Sequence, residues 1–269
     1  MRNLLLCPPD YYGIEYEINP WMSRARGAEV KVAQAQWNGL HEKLSSLDCK
    51  IDLVPPQPKL PDMVFTANAG LTVGKKFIPS NFRHEERAGE APHFARWMKE
   101  HGYEIVWLPE NFYFEGEGDA LFAGDALFCG YKFRSDINSH RAVADILGCL
   151  AITVELVDPR FYHLDTCFCP LPDGAVVWFP PAFDEYGQRT IRDHVRELID
   201  VPQEEAARFS CNAVVLDRDI VLPEGAPTLV AKLRDRGYNC HSLPMTEFLK
   251  AGGACKCLTM FLPQREKAA

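Results

Sequence analysis

A strand–turn–strand pattern returns along this chain at intervals of about 45–50 residues. A repeat of that length cannot bury its own apolar face, so neighbouring units must stack on one another. The five copies are MVFTANAGLTVGKKFIP from Met63, GDALFAGDALFCG from Gly118, DTCFCPLPDGAVVWFP from Asp165, CNAVVLDRDIVLP from Cys211 and ACKCLTMFLP from Ala254. The first four turn at Gly or Asp and return on a β-rich run, as hairpins do. Helical stretches are predicted after them over 85–101, 136–147, 184–199 and 226–236. Three of these lead into a short apolar strand, over 103–108, 152–157 and 239–243. The unit is therefore ββαβ. The fifth copy ends near the C-terminus, and its missing parts stand at the front: a strand over 3–7, a long amphipathic helix over 28–47 and a strand over 51–54. The periodicity predicts an α/β fold in which five units form a ring, a five-bladed β/α propeller whose last blade is closed by the N-terminus. An ordinary open α/β sheet with a similar element order is the alternative. No linker or low-complexity segment interrupts the units, so residues 1–269 are expected to form one domain.

The net charge is -8 over 269 residues. That balance argues against nucleic acid or an anionic membrane as the main partner, and it suits a cationic substrate without implying one. No apolar run approaches the ~18 residues needed to span a membrane. The N-terminal MRNLLLCPPDYY is too short in apolar residues for a signal-peptide core. A cytoplasmic protein with reduced thiols is therefore expected for the ten cysteines. Oligomeric state stays open, a homo-oligomer included.

The residues able to do chemistry gather at the starts of the repeats. These are Asn68, Glu115 to Asp119, His163 with Asp165, Asn212, and Cys255 with Cys257. In GGACKCLTM, read as a short strand, Cys255 and Cys257 share one face and Lys256 takes the other. The pair reads as half of a metal site with Cys167 and Cys169, as apolar filler, or as a nucleophile. Both Cys-x-Cys pairs lie in apolar strand-like runs rather than in the turns that usually present zinc ligands. His163-Leu-Asp165, likewise read as strand, puts an imidazole and a carboxylate on one face, a plausible acid/base pair. A Cys/His/carboxylate set describes covalent catalysis at an electrophilic carbon. Several acids around one thiol would raise its pKa. They make sense for a cationic planar substrate, because carboxylates grip guanidinium through paired charge-assisted hydrogen bonds.

With FTANAG from Phe65, FEGEGDAL from Phe114, HLDT from His163 and GGACKCLT from Gly252 in this order, the chain resembles the guanidine-modifying superfamily of amidinotransferases and deiminases. Its fold is the five-bladed pentein propeller. The resemblance implies Cys257, not Cys255, as nucleophile, His163 as acid/base, and Glu115 and Asp165 as guanidinium-binding acids, with Glu115 preferred over Glu117. It implies no metal and no cofactor. Where arginine deiminases and dimethylargininases carry an Asp, this chain has Asn68. With Asn19 in EINPW, this is similar to the arginine dihydrolase domain of cyanobacterial bifunctional arginine-catabolism enzymes. Those enzymes carry a further C-terminal region, which hydrolysis is expected not to need.

The expected reaction is hydrolysis of arginine to ornithine, carbon dioxide and ammonia through a covalent thiouronium. Asn68, Asp119 and Asn19 are expected to bind substrate, Asn19 at its α-amino end. Arg87 and Arg134 are candidates for its α-carboxylate. An Asn offers both a donor and an acceptor, so Asn68 could retain neutral citrulline for a second attack. The rivals are an arginine deiminase or dimethylargininase stopping at citrulline, an amidinotransferase, and a non-catalytic pentein binding protein.

Overall fold

The computed structural model describes residues 2–263. In chain order the elements are β1 (Arg2–Leu6), α1 (Val30–Ser46), β2 (Cys49–Leu53), β3 (Gly70–Val73), β4 (Lys76–Pro79), α2 (Glu85–Ala88), α3 (Ala91–Glu100) and β5 (Glu104–Ile105). There follow β6 (Ala120–Ala123), β7 (Ala126–Tyr131), α4 (Ile137–Leu147), β8 (Leu150–Glu155), β9 (Phe168–Pro170), β10 (Ala175–Trp178), α5 (Glu185–His194) and β11 (Glu197–Asp200). The chain ends with α6 (Gln203–Ala206), β12 (Val214–Leu216), β13 (Asp219–Pro223), α7 (Pro227–Asp235), β14 (Asn239–Leu243), α8 (Thr246–Leu249) and β15 (Met260–Leu262).

The strands of the described residues form five three-stranded sheets of one design. A short inner strand pairs antiparallel with a central strand, which pairs parallel with a third strand reached through a helix. Parallel pairing needs such a crossover, which is why each helix separates the second strand from the third. In the fifth sheet the inner strand is β15, and β1 and β2 complete it. The two ends of the chain thus share one sheet.

Three expectations are corrected. The stretch predicted as one helix over 85–101 is two, α2 and α3, because Pro92 starts a new helix and Arg87 turns back onto Glu90. The helix predicted over 184–199 stops at His194, where Val195 is extended, and 197–200 is the parallel strand that the sequence reading assigned to the helix. The stretch 254–259 is a tight turn and not a strand, with Leu258 N–H bonded to Ala254 O and Thr259 N–H to Lys256 O. Several of its other peptide groups bond to neighbouring turns rather than to a strand: Ala67 N–H donates to Cys257 O, and Lys256 N–H to Asn212 O.

Turns of this kind precede the other inner strands. Short 3-10 turns at Thr66–Ala69, Gly116–Gly118 and Leu164–Thr166 stand before β3, β6 and β9. All are buried. Gly116 is required in its turn: φ is +59°, and a Cβ there would lie 2.5 Å from the Gly70 carbonyl oxygen. Gly116→Ala is expected to cost about 2–4 kcal/mol, from a left-handed backbone and from overpacking against rigid backbone. Urea denaturation measures it; an unchanged midpoint would show that these two turns do not depend on close approach.

Candidate active site

The polar residues of these turns stand at fixed distances before the inner strands. Three residues before β6, β9 and β15 are Glu117, Asp165 and Cys257; five before β6 and β9 are Glu115 and His163. Two before β3 and β12 are Asn68 and Asn212. The shared turn geometry brings side chains from different sheets together.

Cys257 is 2% exposed. Its Sγ donates to Asp165 Oδ2 at 3.3 Å and accepts from Asn212 Nδ2 at 3.1 Å. Burial first, and then the Asp165 charge, push its pKa well above the ordinary thiol value. Asp165 is itself pushed up to about 6 by burial, against the opposing pull of Lys256 and its contacts with Cys257 and Asn212. Its other oxygen, Oδ1, has no hydrogen-bond partner among the described residues.

His163 and Asp165 are not on a strand; His163 caps the Leu164–Thr166 turn. Its Nε2 lies 2.8 Å from Glu115 Oε2, and its Nδ1 lies 3.5 Å from Asn68 Nδ2, a long and weak contact. The assignment consistent with both partners is an imidazole with its proton on Nε2 and a lone pair on Nδ1. Burial lowers its pKa to about 4, in spite of Glu115. Glu115 is held well below the usual carboxylate range: burial opposes ionisation, but Arg134 and His163 outweigh it.

Arg134 donates to Glu115 Oε2 at 3.0 Å and to Ile18 O at 3.1 Å, and lies over the Tyr162 ring. Arg87 makes two 2.8 Å bonds to Glu90 and one 2.8 Å bond to Asn68 Oδ1. Asn68 is therefore oriented: its oxygen is taken by Arg87 and its Nδ2 faces His163. Asn19 uses its whole carboxamide on backbone, accepting from Trp21 and Met22 N–H and donating to Ala251 O. It holds the long connection between β1 and α1 onto the stretch leading to Cys257. Asp119 accepts from Ser135 Oγ at 2.6 Å and Leu164 N–H at 3.1 Å, so its carboxylate faces the supporting turns. Glu117 faces away from the thiol and forms a buried pair with Lys256 at 2.8 Å.

Three further residues belong to the surroundings of the site. Asn212 is among the polar residues at the repeat starts, with the same offset as Asn68, and no role follows for it from the sequence. Tyr162 donates to Gly252 O at 2.8 Å. Asp62 is buried 3.9 Å from Arg87, with the Tyr16 hydroxyl beside its carboxyl; nothing in PDMV marks it. The four thiols Cys167, Cys169, Cys255 and Cys257 do not converge. Among the described residues no group of three or more His, Cys, Asp or Glu is placed to hold a metal ion. A cavity of about 540 Å³ reaches Glu117 and Lys256 but none of Cys257, His163, Asp165 or Glu115, and is a separate space. No described helix is long and apolar enough to cross a membrane.

Residues 17–262 match a family model described as N,N dimethylarginine dimethylhydrolase, eukaryotic. The chain is 45% identical over 263 residues to the bifunctional arginine dihydrolase/ornithine cyclodeaminase ArgZ of Synechocystis sp., covering 96% of this chain. It spans only 37% of the length of that protein. It is 39% identical over 259 residues to the N(G),N(G)-dimethylarginine dimethylaminohydrolase of Mycobacterium tuberculosis, covering 96% of this chain and 85% of that one. A crystal structure of a variant N-terminal domain of ArgZ, covalently bound to a reaction intermediate, matches with a TM-score of 0.95 at 43% identity, covering 98% of each chain.

The depressed pKa of His163 has a definite sign. The native state favours the neutral ring, so this contribution to stability is complete above about 6.5 and is lost as pH falls through about 4. NMR titration of the imidazole is expected to give a midpoint near 4, moving lower in Glu115→Gln because Glu115 raises it. A midpoint near 6.5 would show the ring to be solvated instead.

Proposed function

The chain belongs to the N,N-dimethylarginine dimethylhydrolase family, and on that premise we propose that it is a cysteine-dependent hydrolase of a guanidino substrate, L-arginine, which it converts to ornithine. Cys257 is the nucleophile and His163 the acid/base. Asp165 receives the guanidinium, for which its unpartnered Oδ1 is suited, and Glu115 orients His163 and adds negative charge. As the cation meets Asp165, the repulsion that holds the thiol protonated is relieved. The thiol proton passes to His163, and the thiolate adds to the central carbon. His163 returns the proton to one nitrogen, which leaves as ammonia. The alkylthiouronium is then attacked by water as His163 takes a proton, and the C–S electron pair returns to Cys257. Arg134 and Arg87 supply cations for the α-carboxylate. Asp62, a buried carboxylate, suits the α-ammonium better than Asn19, whose carboxamide holds its own turn.

The observation that favours a second round is the orientation of Asn68. With its oxygen bonded to Arg87, it presents N–H to the site. A ureido carbonyl accepts from such a donor, whereas a guanidinium gains nothing from it. Citrulline is thus retained and attacked again. Two waters are consumed in all, and two ammonia, one carbon dioxide and ornithine are released. ArgZ, named as an arginine dihydrolase, supports this reading. A deiminase or dimethylargininase would stop at citrulline, and the Mycobacterium tuberculosis relative's name fits that outcome.

The same reading takes the five sheets as blades of a closed ring, a pentein propeller forming one catalytic domain over 1–269. Three supports are the sheet shared by the two termini, the bond from Asn212 to Asp165 O, and that from Leu164 N–H to Asp119 Oδ1.

Purified protein supplied with arginine should yield ornithine and two equivalents of ammonia. Cys257→Ser should lower turnover at least about 10⁴-fold with the fold intact. Asn68→Asp should raise the citrulline share. Stoichiometric citrulline from the unaltered protein would refute the second round, and full activity of Cys257→Ser would refute the nucleophile.

A further inference from the structure

Asn212 uses every hydrogen-bonding site of its carboxamide, and each bond goes to the nucleophile's surroundings. Oδ1 accepts from Ala254 N–H at 3.1 Å and from Cys257 N–H at 3.0 Å. Two backbone donors on one atom fix that atom as oxygen, so the amide's other end is the NH2. Nδ2 donates to Asp165 O at 3.0 Å and to Cys257 Sγ at 3.1 Å. The residue is fully buried.

The two neighbours of the sulfur act in opposite senses. Asp165 accepts the thiol proton and repels a thiolate; an N–H donor has no use for a thiol proton and stabilises the anion. Tyr162 also interacts with the thiol, His163 is the group proposed to take its proton, and Lys256 and Glu117 act on Asp165. Once a cationic substrate neutralises Asp165, Asn212 is the neutral side chain left on the sulfur.

We propose that Asn212 is a catalytic residue whose carboxamide N–H stabilises the Cys257 thiolate, both before attack and as the leaving group when the C–S bond breaks. The same amide fixes where the sulfur stands, through the two backbone donors of the Cys257 turn. Asn212 and Asn68, at equivalent positions in two repeats, divide the work: one serves the nucleophile and the other the base. The inference rests on Cys257 being the nucleophile.

The test is alkylation of Cys257 by iodoacetamide as a function of pH, read at the Cys257 peptide by mass spectrometry. Asn212→Ser removes the carboxamide N–H, leaving only a shorter hydroxyl on Cβ, without adding charge. Asn212→Asp keeps the shape and an acceptor for the two backbone N–H groups. A hydrogen bond to a charged group predicts a midpoint about 1–2 pH units higher in Asn212→Ser, and at least as much in Asn212→Asp. With arginine, kcat should fall about 10²–10³-fold in both, as for loss of one donor to a developing anion, with KM within about threefold. An unchanged alkylation midpoint in folded variants, whatever happens to kcat, would reduce Asn212 to a structural role and overturn the proposal. The unaltered protein gives a reading that needs no stable serine variant. Its Asn212 side-chain amide resonance, identified by its loss in Asn212→Asp, should move with pH at the alkylation midpoint, and a resonance that stays still contradicts the proposal. Alkylation and NMR need no substrate, so the Asn212–Cys257 bond is read even without arginine turnover, and a failure of the functional reading is distinguished from a failure of this bond.

Discussion

The turns leading into the inner strands are buried, and peptide groups without water must find partners elsewhere. That requirement organises the site. Ala67 N–H bonds Cys257 O, Asn212 serves the N–H groups of Ala254 and Cys257, and Asp119 takes Leu164 N–H. Each bond joins turns that precede different sheets. The positions of Cys257, Asp165 and His163 are therefore set by backbone satisfaction before any substrate is considered. Preorganisation of this kind places reacting groups without cost at the moment of reaction.

Charge is the second determinant. Asp62, Glu90 and Glu115 are buried beside Arg87 and Arg134, and Asp165 is buried with Lys256 as the cation that acts on it. Buried carboxylates outnumbering their partners favour a cation, and burial already pushes Asp62, Glu90 and Asp165 upward. Lys256 matters at a distance: paired with Glu117, it still helps hold Asp165 in a range where it ionises near neutral pH. Under the proposed function, a thiol raised by Asp165 would be quiet until a guanidinium arrived, which would tie reactivity to the substrate's own charge.

Much of this was legible in the sequence because hairpin spacing and turn residues are local signals. The four hairpins, α4, α7, β14 and the N-terminal completion of the fifth sheet follow from periodicity and from Gly or Asp at the turns. The errors came where tertiary bonds override local pattern. CKCLTM alternates like a strand, but Asn212 and Ala67 claim its peptide groups. The polar run before β11 extends a helical pattern until extended Val195 ends it. Cys257, His163, Glu115 and Asp165 were named through motif resemblance, whereas Asn212, Tyr162 and Asp62 lie outside those motifs. Only Asn212 carried a signal, its offset from the inner strand, and that offset could be measured only once the turns were known.

The most direct test is rapid quenching of the unaltered enzyme while it turns over arginine, followed by intact-mass and peptide analysis. Covalent hydrolysis predicts a substrate-derived adduct on Cys257, absent from Cys257→Ser and decaying as ornithine appears. Turnover without an adduct on any cysteine, or with the adduct on Cys255, would contradict the assignment.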